Sequence, residues 1–202
     1  MDQAAADRRW MLRALLLARR MAGATWPNPT VGCCIVRDGR LLAQAVHTGP
    51  GEPHAESAAL LALAARRVDP GGATAYVSLE PCHHQGRTAP CSQALHDAGI
   101  VRVVHATADD TPRHPGGGAA WLAGQGVEVA SGICEELARE LNHPFFETGS
   151  DEEAHVTLKL ALTVDGAVAR RRGAIDDPAD RAVTGERVRR RVHRIRAGAG
   201  AV

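Results

Sequence analysis

Three short segments constrain this chain more than anything else in it: Pro53-His54-Ala55-Glu56, Glu80-Pro81-Cys82 and Pro90-Cys91. One imidazole and two thiolates make three protein ligands for zinc and leave the fourth tetrahedral position for water. That open position separates a catalytic zinc from a structural one. A fold that uses these residues so must bring all three segments together. Glu56 stands two residues after His54, at the start of a helix, so it need not bind the metal and can face the water instead. An isolated His or Cys is more often a packed core residue than a ligand. Here the fragments occur in order, and each carries its proline.

The remaining cysteines, Cys33, Cys34 and Cys134, bring the total to five. An odd count, with no leader-like apolar stretch at residues 1–9, argues for reduced thiols and a cytoplasmic setting rather than a disulfide framework. These three read as small apolar core residues. With 45% apolar and 23% charged residues, the 202-residue chain has the composition of a globular protein. Its longest apolar runs fall short of the ~20 residues a bilayer crossing needs, and a net charge of +1 gives no electrostatic reason for nucleic acid or a membrane as partner. Arginines are concentrated at 181–196 against the single acid Glu186. That run reads as a solvated helix face, with phosphate contact as the alternative.

Apolar residues at helical spacing from Asp7 to Ala22 (Trp10, Ala14, Leu17, Ala18, Met21) predict an amphipathic helix with Asp7 as its N-cap. Trp26-Pro27-Asn28-Pro29 cannot continue it, because proline removes a donor and fixes the chain in an extended path. Strands at Val31–Val36 and Leu41–Val46 flank an Asp38-Gly39 hairpin turn. The pattern then predicts a helix over 54–67, a strand over 73–79, a helix over 91–98 closed by Gly99, and a strand over 100–106. A short helix follows the glycines at 116–118, then a strand at 127–129 and a helix at 133–141 ending before Pro144. This alternation implies helices layered on both sides of one mixed sheet. Glu147 to Ala154 is acidic and linker-like, and apolar strands around Asp165-Gly166 follow it.

A water held at such a metal centre has its pKa lowered to about 7. Glu56 can take its proton and deliver it to a ring nitrogen and a departing amine. His-x-Glu followed by Pro-Cys is the signature of zinc deaminases. If His54 and Cys91 lie at helix N-termini, the backbone dipoles there favour the anions this chemistry needs.

Zinc deaminases commonly place two residues between the cysteines, whereas eight separate Cys82 from Cys91 here. Together with Pro27-Asn28-Pro29-Thr30-Val31-Gly32, Gly51-Glu52-Pro53-His54-Ala55-Glu56 and His83-His84-Gln85-Gly86-Arg87-Thr88, this spacing closely resembles the bifunctional riboflavin-biosynthesis deaminase/reductase family. The likeness covers about residues 7–145 as a deaminase domain. It continues in Leu158-Lys159-Leu160-Ala161-Leu162-Thr163-Val164-Asp165-Gly166 and in Val192-His193-Arg194-Ile195-Arg196-Ala197, which look like the opening elements of the family's reductase domain.

The resemblance implies an α/β/α three-layer sandwich of the cytidine deaminase-like type at 1–146 and a linker at 147–154. Residues 155–202 would be the first elements of a second α/β domain, dihydrofolate reductase-like. It implies zinc bound by His54, Cys82 and Cys91, with Glu56 as general acid/base, acting on a diaminopyrimidinone ribosylamino phosphate. The substrate would meet Asn28, His47, His84, Arg87 and Asp110: Asn28 at the pyrimidine edge, Arg87 at the phosphate and Asp110 at the ribose. In the reductase part Lys159 and Asp165 keep the family's motif. Ala161 falls at an NADPH contact, Arg196 at a substrate contact, and Ala182 replaces a tryptophan. NADPH would serve only a complete reductase domain, so no reductase activity is expected of these residues. The family also implies a homo-oligomer.

The sequence departs from the family at His83, Gln85 and Ala89, and in Asp110-Thr111-Pro112-Arg113 with the following glycines. These changes touch the sugar-phosphate side and leave the metal and Glu56 unaltered. Two other readings stay open at this point. One is a deaminase of another pyrimidine or purine base or nucleoside; the other is a catalytically silent zinc scaffold for a partner reductase.

Overall fold

The computed structural model describes residues 2–84, 90–110 and 117–147. Helix α1 spans Gln3–Arg19, and its N-cap is Asp2, whose side chain accepts from the Ala4 amide at 3.3 Å. Asp7 is therefore not the cap that its position before an apolar repeat suggested. It lies in the second turn and is buried against the sheet, where it serves an ion pair instead. The buried face of α1 adds Met11 and Leu15 to Trp10, Ala14 and Ala18.

Strands β1 (Gly32–Arg37) and β2 (Arg40–Val46) form the expected hairpin. Asp38 and Gly39 both have positive φ, 53° and 69°, the backbone a two-residue type I′ turn demands. Helix α2 (Ala55–Ala65) leads to β3 (Thr74–Val77), and α3 (Cys91–Asp97) leads to β4 (Arg102–His105). After α4 (Gly118–Gly124) come β5 (Glu128–Ser131), α5 (Glu135–Leu141) and α6 (His143–Glu147). The last helix was not foreseen. Pro144 sits in its first turn, where a missing N–H breaks no intrahelical bond. Glu147, where the linker-like segment begins, is the last residue of this helix.

The strands form one sheet in the order β2-β1-β3-β4-β5. The pairs β1–β2 and β1–β3 are antiparallel, while β3–β4 and β4–β5 are parallel. Alternation along the strands makes two cores. Cys33, Ile35, Ala75, Val77 and Val103 pack with Ala59 and Leu63 of α2, Leu95 of α3 and Leu122 of α4. Cys34, Val36, Tyr76 and Val104 pack on the other face with α1 and with Ala138 of α5. Helices thus cover both faces of a mixed sheet, the three-layer arrangement expected from the element order. Gly32 lets α1 lie close, since a Cβ there would meet the Ala14 carbonyl oxygen at 2.2 Å. No described helix is long and apolar enough to cross a membrane.

Candidate metal centre and active site

The layer of α2, α3 and α4 carries the site. His54 is the N-cap of α2, in extended backbone that ends where the helix begins. Cys91 is the first residue of α3, behind the N-cap Pro90. Cys82 lies on the chain leaving β3. The His54 Nδ1 atom is 3.6 Å from Cys82 Sγ and 3.3 Å from Cys91 Sγ, and the three ligand atoms lie within 4.8 Å of one another. Zinc bonds of about 2.3 Å to sulfur and 2.0 Å to nitrogen, at tetrahedral angles, would separate N from S by about 3.5 Å. Donor chemistry and spacing both fit that ion. Among the described residues this is the one His/Cys/Asp/Glu cluster that could hold a metal.

The surroundings favour thiolate at Cys82. The Cys91 amide at the start of α3 donates to Cys82 Sγ at 3.4 Å. Hydrogen bonds from Cys91 and from His54 hold the Cys82 thiol down to about 4, against the effect of burial. Its neighbour Cys82 and burial push the Cys91 thiol up. A divalent ion among these atoms would reverse that second shift and hold both sulfurs as thiolates. The Cys82 carbonyl is pinned as well, accepting from both the backbone amide and the hydroxyl of Ser92, each at 3.1 Å.

Glu56, in the first turn of α2, is 3% exposed. Burial pushes its carboxyl up to about 7, and the nearby Cys82 charge adds to the rise. It also interacts with the Cys91 thiol, which puts it beside the ligands. A carboxyl with this poise gains and loses a proton near neutral pH.

Asn28 and His47 also come together here. The Pro53 carbonyl lies 3.0 Å from His47 Nδ1 and can only accept, so the proton is on Nδ1. His47 Nε2 then accepts from Asn28 Nδ2 at 2.9 Å. Burial lowers the His47 pKa, which keeps this neutral tautomer. The chain of bonds fixes which way round the Asn28 amide lies, with Oδ1 turned from His47. The His47 ring also meets the His54 ring edge-on, with centroids 5.5 Å apart.

The other expected substrate contacts are less drawn together. His84 is exposed. Asp110, also exposed, accepts from Arg139 Nη2 at 2.9 Å, and Arg139 is in turn held by Glu135. Arg87, Lys159, Ala161, Asp165 and Arg196 lie outside the described residues.

The structure also brings in residues that sequence reading passed over. Asn142, at the C-cap of α5 and 2% exposed, accepts from the Thr30 amide at 2.7 Å and donates to the Thr30 carbonyl at 3.1 Å. It thereby holds the end of the loop that carries Asn28. His83 stacks on Trp121 and contacts Ser92 Oγ at 2.8 Å, bracing the segment after Cys82. An Asn after a helix is an ordinary capping signal, and nothing local says which distant loop it serves.

Residues 4–107 match the family model described as the cytidine and deoxycytidylate deaminase zinc-binding region. The chain belongs to that family. Its resident metal is zinc, and its fold is the cytidine deaminase-like sandwich. It is 42% identical over 196 residues to the riboflavin biosynthesis protein RibD of Aquifex aeolicus, covering 97% of this chain and 53% of that protein. It is 40% identical over 196 residues to RibD of Escherichia coli (strain K12), covering 97% of this chain and 51% of that one. Among solved structures it is similar to a diaminohydroxyphosphoribosylaminopyrimidine deaminase/5-amino-6-(5-phosphoribosylamino)uracil reductase from Thermotoga maritima. The TM-score there is 0.76 at 37% identity, covering 82% of this chain and 47% of the other. The chain therefore spans about half the length of the curated relatives it matches.

Proposed function

We propose that this deaminase domain hydrolyses the exocyclic amine of a diaminopyrimidinone ribosylamino 5′-phosphate in riboflavin biosynthesis, yielding the aminouracil and ammonia. The observation that carries this reading is the buried Glu56 carboxyl beside the His54, Cys82 and Cys91 cluster. Sequence similarity to RibD proteins over 97% of the chain supports the substrate class.

Zinc, when bound by His54, Cys82 and Cys91, supplies a Lewis acid that lowers the pKa of water to about 7. Glu56 accepts one proton from water and passes it to the ring nitrogen beside the amine-bearing carbon. It then carries the second proton to the amine, so the C–N bond breaks with ammonia leaving and the water's oxygen staying on the ring. Asn28, oriented by His47, offers its amide to the pyrimidine edge. His47 lines the same side, and His84 completes it. Arg87 takes the phosphate through paired guanidinium bonds, and Asp110 takes the ribose.

We assign residues 1–146 to the deaminase domain, 147–154 to a linker and 155–202 to the first elements of a reductase domain. Lys159, Ala161, Asp165 and Arg196 belong to that reductase part, and NADPH belongs to a complete domain of this kind. We further infer a homo-oligomer in the cytoplasm, where the site's thiols stay reduced, with a small pyrimidine nucleotide as partner rather than nucleic acid.

Glu56→Ala tests the mechanism. Zinc content should be unchanged, while ammonia release from the riboflavin precursor falls by about 10²–10⁴-fold, the contribution typical of a general acid/base. Equal release by the variant and the parent would sink the reading. Faster turnover of cytidine, guanine or adenosine than of the precursor would move the substrate elsewhere.

A further inference from the structure

The carboxylate of Glu80 joins three backbone amides from two separate places in the chain. Oε1 accepts from Gly117 at 2.9 Å and Ala119 at 3.0 Å, and Oε2 accepts from Asp109 at 3.2 Å. The Glu80 amide itself donates to the Thr107 carbonyl at 2.9 Å. Two residues further on is the ligand Cys82, and the intervening Pro81 is packed equally tightly. A Cβ on Gly118 would lie 1.8 Å from the Pro81 carbonyl oxygen, so the first turn of α4 presses directly on that backbone. Asp109 precedes Asp110, whose side chain is held from the other direction by Arg139.

We propose that Glu80 is a positioning residue, which ties both flanks of the 110–117 stretch to the turn that carries the metal ligand Cys82 and so sets the substrate side of the site against the metal. The consequence for substrate rests on the deaminase reading above, in which Asp110 meets the ribose; the clamp itself rests on Glu80 alone. Acceptor chemistry explains why a carboxylate stands here. All three partners are N–H donors, and two carboxylate oxygens can receive them all, whereas an amide would turn one NH2 group toward a donor. Hydrogen bonds to a charged acceptor are also the stronger kind.

Glu80→Gln keeps the size of the side chain and removes the second acceptor. Hydrogen–deuterium exchange on the full chain should show protection at Asp109, Gly117 and Ala119 falling by about tenfold, with Ala59 and Leu63 in α2 unchanged. Steady-state ammonia release from the riboflavin precursor should show KM rising about tenfold and kcat changing by less than about threefold. This lies in the range seen when partners of metal ligands are altered. Zinc should remain bound at the parent stoichiometry. If Gln does not fold, Glu80→Asp retains the charge but is too short to reach all three amides, and the same shifts are expected. Unchanged exchange at the three amides overturns the clamp. Loosened amides with unchanged KM and kcat would make Glu80 structural only and overturn the positioning role. If the parent itself releases no ammonia from the precursor, the substrate reading fails and exchange alone decides the clamp.

Discussion

Asp7 on α1 and Glu56 on α2 are carboxylates buried to nearly the same degree, 4% and 3% exposed, on opposite faces of one sheet. Asp7 receives two bonds from Arg102, both 2.8 Å, with Tyr76 and Gln3 also at 2.8 Å. Burial raises its pKa, but these donors outweigh burial and leave the carboxyl below its ordinary range. Among the described residues no arginine or lysine is paired with Glu56, and the His54 charge and a Cys91 hydrogen bond only partly offset its burial. Burial and the Cys82 charge push it up to about 7. A buried charge that is fully paired locks two elements together, here α1 to β3 and β4. One that is hydrogen-bonded but lacks a matching guanidinium keeps the capacity to exchange a proton, and it belongs beside a metal.

Substitution should separate the two. Asp7→Asn leaves the Arg102 guanidinium, 13% exposed, without its main partner. It should lower unfolding stability by about 3 kcal/mol in denaturant titration, while ammonia release per folded molecule stays within about twofold of the parent. The same amide change at Glu56 should do the reverse, abolishing turnover with little loss of stability. Loss of turnover in folded Asp7→Asn protein would break the distinction. The pH dependence follows in sign. Because the folded pKa of Asp7 is depressed, its stabilisation is present above the ordinary value of 3.8 and is lost as pH falls through the lower folded value. The stability gap between the parent and Asp7→Asn should therefore hold above about pH 4 and close below it.

A smaller effect distinguishes the two faces through their glycines. A Cβ at Gly32 would meet the Ala14 carbonyl oxygen at 2.2 Å, and one at Gly118 would meet the Pro81 oxygen at 1.8 Å. Both contacts are with backbone, so each Ala variant should lose about 1–3 kcal/mol through overpacking. Only Gly118→Ala should also weaken zinc, by about tenfold in a chelator competition, since Pro81 adjoins a ligand. Equal zinc affinity in the two variants would remove that contrast. The smallest effect belongs to the exposed Arg139–Asp110 pair. Arg139→Ala should change stability by less than about 1 kcal/mol, and a KM increase for the precursor would place Asp110 at the substrate.

The His54, Cys82 and Cys91 cluster, the hairpin and the layer order were legible because their causes are local. His54-Ala55-Glu56 and Pro90-Cys91 state their spacing directly, Asp38-Gly39 requests positive φ, and apolar alternation marks strands. Asp7 shows where that logic ends. An acid before an apolar repeat looks like a cap from local sequence, yet Arg102 stands 95 positions away and its attraction outweighs capping. Pro144 misled similarly, since a proline stops one helix and equally well starts the next.

Which groups meet at the site was determined by the sequence alone: one imidazole, two thiols and a carboxylate, in the order of the zinc-deaminase signature. How those groups are poised was decided only by the tertiary structure. The rise of the Glu56 pKa is a matter of burial, which no residue carries in itself. The orientation of Asn28 depends on His47 and Pro53, and its loop depends on Asn142, whose bond to Thr30 spans 112 positions. Ligand type is written in single residues, whereas dielectric surroundings and hydrogen-bond direction arise only when distant segments pack.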